Sequence, residues 1–102
     1  MLALSVLTCA APAAIAQNTD AGRQSFVTRC ASCHGTDGNG GELGPAIATR
    51  AAVRSDEELR GVIHDGFPNA GMPAFPSVAA PEATDLIAFL RTLKPRAVTA
   101  PA

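Results

Sequence analysis

The sequence predicts a small all-α domain with three main helices and long loops. Apolar residues recur with helical spacing in three segments, and no segment alternates with the two-residue period that is typical of a half-buried strand. Stretches rich in Gly and Pro separate the three segments and predict loops. We expect the domain to occupy residues 17–95, after a leader over residues 1–16 and before a loose tail over residues 96–102.

The leader has the character of a secretory signal peptide. Residues 1–16 carry no charged side chain, and Ala14, Ile15 and Ala16 have the small-x-small pattern that signal peptidase accepts. This pattern predicts cleavage before Gln17. The segment is too short and too rich in alanine for a good membrane span. We therefore expect a periplasmic protein without stable membrane insertion.

The first predicted helix leads into residues 30–34. Phe26 and Cys30 fall on one face with helical spacing, and Thr19 or Asp20 is the expected N-cap. Glycine interrupts residues 35–44 too often for a helix or a strand, so this stretch is expected to be a loop.

Two further helices are predicted downstream. Ser55 and Glu58 have the spacing of a capping box, which predicts that the middle helix begins there, and the apolar stripe behind them stops near Gly66. The last helix is expected to begin near Pro81, a favourable first-turn residue, and to be ended by Pro95.

Cys30, Cys33 and His34 form a Cys-x-x-Cys-His motif, the pattern that covalent attachment of a c-type haem requires. One helical turn separates the two thiols by about the distance between the haem vinyl groups. His34 would then lie beneath the porphyrin, where it can bind the iron. Half of a zinc site and a redox dithiol are the other interpretations, but a second Cys-x-x-Cys pair and a surrounding βαβ pattern are both missing from the sequence. The motif favours one covalently attached haem c.

The composition also favours a bound haem. Once the leader and its Cys9 are removed, the two motif cysteines are the ones that remain, so a disulfide cannot stabilise the domain. Hydrophobic residues make up 47% of the chain, but it has no Trp, no Tyr and only four Phe. A chain this small buries little apolar surface, and the macrocycle would supply the missing core. The net charge of −1 and the scattered basic residues argue against a nucleic-acid partner.

With these features the chain resembles the class I, single-haem bacterial cytochromes c. That family has a glycine eight residues and an aromatic residue four residues before the first cysteine, and Gly22 and Phe26 stand at those positions. Its C-terminal helix presents a leucine and an aromatic three apart, as Leu86 and Phe89 are here. We expect these four residues to pack where the first and last helices cross. Residues 54–75 most resemble cytochromes that work beside quinoprotein dehydrogenases or respiratory oxidases.

The resemblance implies that Met72 is the second axial ligand. Met72 stands between Gly71 and Pro73 in the loop after the middle helix, where the family places its methionine. A thioether ligand raises the reduction potential relative to a second histidine. Two alternatives are that Met72 only fills space in the core and that His64, on the middle helix, binds the iron instead.

Further haem contacts are implied by the same resemblance. The carbonyl of Pro45 is expected to accept a hydrogen bond from the ring of His34, which would fix the imidazole and raise its basicity. Arg54, with Arg50 behind it, is the candidate partner of the haem propionates. The alternative for both arginines is a solvated helix face.

Two axial protein ligands leave no open position on the iron, which predicts a one-electron carrier and not an enzyme. The expected partners are a periplasmic dehydrogenase and a terminal acceptor such as an oxidase. The alternative is a haem enzyme or gas sensor in which Met72 is displaced. Residues 67–76 hold no titratable side chain that could assist such catalysis.

Partner docking is expected at an uncharged patch near the two thioethers. The residues expected there are Ala31, Ser32, Ala46, Ile47, Ala74 and Phe75. Because Lys94 is the single lysine of the chain, we expect a weak, mostly apolar encounter that depends little on salt. Nothing in the sequence demands an assembly, so a monomer is expected.

Overall fold

The computed structural model describes residues 2–7 and 17–96. Residues 2–7 are exposed and have no regular secondary structure, and the rest of the predicted leader lies outside the described residues. Of the tail expected to be loose, residues 97–102 also lie outside them. The described α-helices are α1 (Thr19–Arg29), α2 (Ala31–His34), α3 (Ala48–Val53), α4 (Asp56–Asp65) and α5 (Ala80–Leu90).

The all-α prediction is confirmed for the part of the chain that the structure describes. The three predicted helices correspond to α1, α4 and α5, and a 3₁₀ helix, Pro68–Ala70, lies in the long loop between α4 and α5. The β-type pairing described here is a single bridge between Phe67 and Met72. None of the helices described is both long enough and apolar enough to cross a bilayer.

The prediction of Thr19 or Asp20 as the first N-cap is wrong. The cap is Asn18, whose side chain accepts a hydrogen bond from the backbone N–H of Ala21 at 3.0 Å. The backbone N–H of Asn18 also donates to the Asp85 carboxylate at 2.9 Å, which holds the start of α1 on α5. Asn18, Thr19 and Asp20 are all residue types that favour an N-cap. Only the cap at Asn18 is observed, together with this bond to α5.

The helix that leads to the motif is not continuous. It ends at Arg29, and Cys30 has φ of −120° and ψ of −35° before α2 begins at Ala31. The hydrogen bond from the His34 backbone N–H to the Cys30 carbonyl, at 3.0 Å, starts the short second helix. Cys30 therefore lies at a bend that separates the motif from the helix before it.

The capping box of α4 is confirmed. The Glu58 backbone N–H donates to the Ser55 hydroxyl oxygen at 3.1 Å, and the Ser55 backbone N–H donates to the Glu58 carboxylate at 3.4 Å. Gly66 follows the helix with a φ of 61°, a backbone conformation that residues other than glycine rarely adopt. The two ends of α4 are therefore where the sequence predicts them.

The last helix is shorter than predicted: α5 ends at Leu90 and does not extend to Pro95. Beyond it the chain tightens, with hydrogen bonds from the Thr92 N–H to the Phe89 carbonyl at 2.9 Å and from the Leu93 N–H to the Leu90 carbonyl at 3.2 Å. These three-residue spacings are typical of a 3₁₀-like end of a helix.

The crossing of α1 and α5 forms the centre of the core. A Cβ atom built on Gly22 would lie 1.9 Å from the carbonyl oxygen of Asp85, so only glycine fits at the crossing. The rings of Phe26 and Phe89 lie 5.2 Å apart at 46°, and Leu86 is fully buried beside them. The predicted packing of this helix pair is confirmed, and it places the haem motif beside α5.

Arg91 ties the remaining helices to α5. Its guanidinium donates to the Ala51 carbonyl at the end of α3, to the Arg54 carbonyl at 2.7 Å and to the Asp56 carboxylate at 2.6 Å. Carbonyl groups at the end of a helix lack partners within that helix, and this side chain supplies them. The junction between α3 and α4 is thereby fixed against the core.

Candidate functional site

A cavity of about 370 Å³ lies between the haem motif and the loop that carries Met72. Its apolar walls include Ile47, Leu59, Val62, Ile63, Leu86 and Leu90. A smaller recess of about 70 Å³ shares Cys30, His34, Pro45 and Met72 with it and adds Cys33. The structure therefore brings together the three motif residues, Pro45 and Met72 around one apolar space.

His34 has one ring nitrogen engaged and one free for a ligand. Its Nδ1 lies 2.8 Å from the carbonyl oxygen of Pro45. Because a carbonyl can only accept, Nδ1 donates to it, and Nε2 is the ring nitrogen left for a ligand. This tautomer is the one that a metal-binding imidazole needs when its other nitrogen donates to the backbone.

The two motif cysteines lie at the edge of the cavity and are not joined by a disulfide. Burial raises the pKa of the Cys30 thiol to about 11, against the opposing effect of Arg29, and Cys33 adds to the rise. Within residues 2–7 and 17–96, no three His, Cys, Asp or Glu side chains are grouped to hold a metal ion.

Met72 lies in a small closed loop. Phe67 and Met72 exchange backbone hydrogen bonds of 3.0 and 3.1 Å, and the 3₁₀ helix lies between them. Gly71 closes the loop with a φ of 89°. The backbone N–H of Phe75 then donates to the Ile63 carbonyl at 2.9 Å, which fixes the loop to α4. These backbone hydrogen bonds thus hold Met72 at the cavity.

Arg54 and Arg50 both line the large cavity. A guanidinium nitrogen of Arg54 lies 3.9 Å from a carboxylate oxygen of Glu58, and the Arg54 side chain is 40% exposed. The backbone of Arg54 is fixed by Arg91, as described above. The cavity therefore has two cationic side chains beside its apolar walls, and their role toward propionates stays a prediction.

His64 does not line either part of the cavity. Its side chain is 64% exposed, and its Nδ1 lies 2.8 Å from the Asp65 carboxylate. The fold thus gives no support to the alternative in which His64 replaces Met72 as a ligand.

The predicted docking patch is not wholly at the surface, because Ile47 and Phe75 are half-buried against the core. Ala31 is buried in the core and cannot form part of a surface, because α2 packs that side chain inward. Ser32, Ala46 and Ala74 are exposed. Leu43 is not part of the predicted patch, but it is 76% exposed and lines the recess beside the cysteines. An apolar residue inside a glycine-rich loop is the sequence signal that could have found it.

Arg91 is not among the predicted site residues. Its partners are 35 to 40 residues away along the chain, and no local pattern indicates them. Arg91 supports the site through the backbone of Arg54.

The residues around the cavity fit a haem. Its walls are largely apolar, two cysteines stand a helical turn apart at one edge, and the hydrogen bond at Nδ1 of His34 leaves Nε2 for a ligand. Guanidinium groups on the same cavity suit the negative charge of propionates. An all-α fold with this site defines a c-type cytochrome with a single haem.

The comparison with known families agrees. Residues 17–90 match the family described as cytochrome c oxidase, cbb3-type, subunit III, and the chain belongs to this family of cytochromes c. It is 37% identical over 75 residues to cytochrome c55X of Paracoccus denitrificans (strain Pd 1222), covering 69% of this chain and 73% of that protein.

Solved structures show the same likeness. The c-type cytochrome XoxG from Methylobacterium extorquens AM1 is 33% identical with a TM-score of 0.63, over 72% of this chain and 48% of that one. The c-type cytochrome KustC0563 is 31% identical with a TM-score of 0.62, over 72% of this chain and 96% of that one. This chain thus spans about half the length of XoxG. It is a monohaem class I cytochrome c with covalently bound haem c, and it is a haem-based electron carrier.

Proposed function

We propose that the protein is a periplasmic one-electron carrier whose iron is bound by His34 and Met72. The observation that carries this proposal is the engaged Nδ1 of His34, since it leaves Nε2 as the free nitrogen of a ring that lines the same cavity as Met72. Both residues also line the smaller recess. An imidazole and a thioether together would occupy both axial positions of the iron.

Each site residue has a defined part in electron transfer. The haem iron supplies a one-electron couple when it is bound. Cys30 and Cys33 would hold the macrocycle through thioether bonds, and Arg54 and Arg50 would offset the charge of its propionates. The hydrogen-bonded loop around Met72 would hold the thioether in one place in both oxidation states, so that the reorganisation on electron transfer would be small.

The surface beside the cysteines supports a weakly charged docking interface. Leu43 is exposed there, and the nearby Arg29 is paired with Glu82 at 2.9 Å. Paired charges attract a partner less than free ones do. We infer that a dehydrogenase and a terminal acceptor dock transiently on this surface, with association rates that change little with ionic strength.

Absorption spectra test the proposed ligation. The oxidised and reduced holoprotein should show low-spin spectra that carbon monoxide does not change, and Met72→Ala should convert the iron to a form that binds the gas readily. The control is His64→Ala, which should leave every spectrum as in the wild type because His64 is outside the cavity. Ready binding of carbon monoxide by the wild type would favour the enzyme or sensor, and an unchanged spectrum of Met72→Ala would exclude Met72 as the ligand.

The proposed location has a separate test. Protein recovered from the periplasm should begin at Gln17, as mass spectrometry of the mature chain would show. A mass that includes residues 1–16 would contradict the cleavage.

A further inference from the structure

The loop after the haem motif holds the segment that contains Pro45. The Gly38 carbonyl accepts a hydrogen bond from the Ile47 backbone N–H at 2.8 Å. The Gly41 N–H donates to the Gly44 carbonyl at 3.1 Å. Pro45 therefore lies between two positions at which its own segment is hydrogen-bonded to this loop.

The other side of the same loop is attached to the segment after α5. The Asn39 side chain donates to the Lys94 carbonyl at 3.1 Å and accepts from the Arg96 N–H at 2.7 Å. The Arg96 guanidinium lies 2.8 Å from the Asp37 carboxylate. Arg96, at the start of the predicted tail, is thus fixed through both its backbone and its side chain.

Gly38 has little freedom to move independently of these contacts. It is buried with a φ of 73°, and a Cβ atom built on it would lie 2.6 Å from a methyl group of Leu93. A shift of Asn39 would therefore move the carbonyl of Gly38, and with it the segment that presents Pro45. The contacts form one path from residues 93–96 to the hydrogen bond on His34.

We propose that Asn39 is a positioning residue for the haem ligand His34. By fixing residues 37–41 to residues 94–96, it holds the Pro45 carbonyl where the Nδ1–H of His34 donates to it. A strong hydrogen bond at Nδ1 makes the imidazole more basic and a better donor to ferric iron. The reduction potential therefore depends on a side chain whose own hydrogen bonds go to Asp37, Lys94 and Arg96. This inference rests on the proposed ligation by His34.

The test is Asn39→Ala in the holoprotein. The reduction potential should rise, because a weakened hydrogen bond lowers the electron donation that favours the ferric state. In proton NMR spectra of the reduced protein, the Nδ1–H signal of His34 should move upfield and exchange faster with solvent.

The matched control is Asn18→Ala, which removes the cap of α1 by the same substitution. It should lower the melting temperature and leave the potential and the Nδ1–H signal unchanged. An unchanged potential and signal in Asn39→Ala, or equal shifts in the two variants, would overturn the proposal.

If Asn39→Ala does not accumulate as folded holoprotein, Arg96→Ala decides by the same two measurements, with a smaller shift expected in the same direction. A wild type without a His34 Nδ1–H signal and without a low-spin spectrum would instead contradict the proposed ligation. The two failures are therefore distinguishable.

Discussion

Asp37 is an exposed carboxylate whose ionised form the fold stabilises. The backbone N–H of Asn39 and the guanidinium of Arg96 both donate to it, and together they lower the pKa of this carboxyl below its ordinary value. Both donors belong to the contacts that join the haem-motif loop to the segment after α5. The charge of Asp37 therefore contributes to the stability of that junction.

Replacement of Asp37 by asparagine should make the protein less stable at neutral pH but not in strong acid. Since the pKa of Asp37 is lower in the folded state than in the unfolded state, its carboxylate stabilises the folded state above the ordinary pKa of an aspartate. This contribution is lost as the pH falls through the lowered pKa. The wild type should therefore melt at a higher temperature than Asp37→Asn at pH 7, and this difference should shrink towards zero in strong acid. A difference that stays constant over this range would contradict the role of the charge.

Single residues differ in how far the sequence predicts their roles. Cys30, Cys33 and His34 form a contiguous pattern whose chemistry dictates its spacing, so the motif is evident without a structure. The prediction of Thr19 or Asp20 misses Asn18, because all three side chains can accept a backbone hydrogen bond and the contact of Asn18 with α5 is not visible in the sequence. Local preference could not decide between them.

At the scale of helices, the close approach of α1 and α5 depends on Gly22. Gly22→Ala should lower the free energy of unfolding by about 2 kcal/mol or more. The new methyl group would collide with the Asp85 carbonyl, a backbone group of α5 that cannot change rotamer as a side chain would. Gly61→Ala is the control, since Gly61 is exposed on α4 with open space around it. There the same change should raise the stability by about 0.5–1 kcal/mol through helix propensity. Urea denaturation of both variants measures these effects, and equal changes in the two would refute the packing argument.

The positions of the helices also depend partly on local residues and partly on contacts that are distant in the sequence. The ends of α4 follow from Ser55, Glu58 and Gly66, which act on the adjacent backbone, and the sequence predicts both. The alanine-rich α3 has no cap or apolar stripe, and it is not predicted. Arg91 donates to the Ala51 carbonyl at the end of that helix from a distant part of the chain. Such contacts appear only when the fold is known.

For the whole molecule, the core divides into two parts. The crossing of α1 and α5 is packed by the polypeptide itself, with Phe26 and Phe89 in contact. The other part is the cavity of about 370 Å³, whose walls face a space that protein side chains do not fill. The composition predicts this division, since a chain with four Phe and no Trp or Tyr lacks large side chains to close such a space. The haem is therefore a component of the core as well as the redox centre.

The two parts of the core should respond differently when the haem is withheld. Apoprotein made without haem attachment should retain helical circular dichroism from α1 and α5, because Gly22, Phe26, Leu86 and Phe89 pack these helices directly against each other. It should melt at a lower temperature than the holoprotein and with less cooperativity, since the walls of the cavity would be exposed to water. It should also bind the dye 1-anilinonaphthalene-8-sulfonate, with a rise in fluorescence that the holoprotein does not give. An apoprotein that melts at the temperature of the holoprotein and binds no dye would show that the polypeptide closes the cavity by itself.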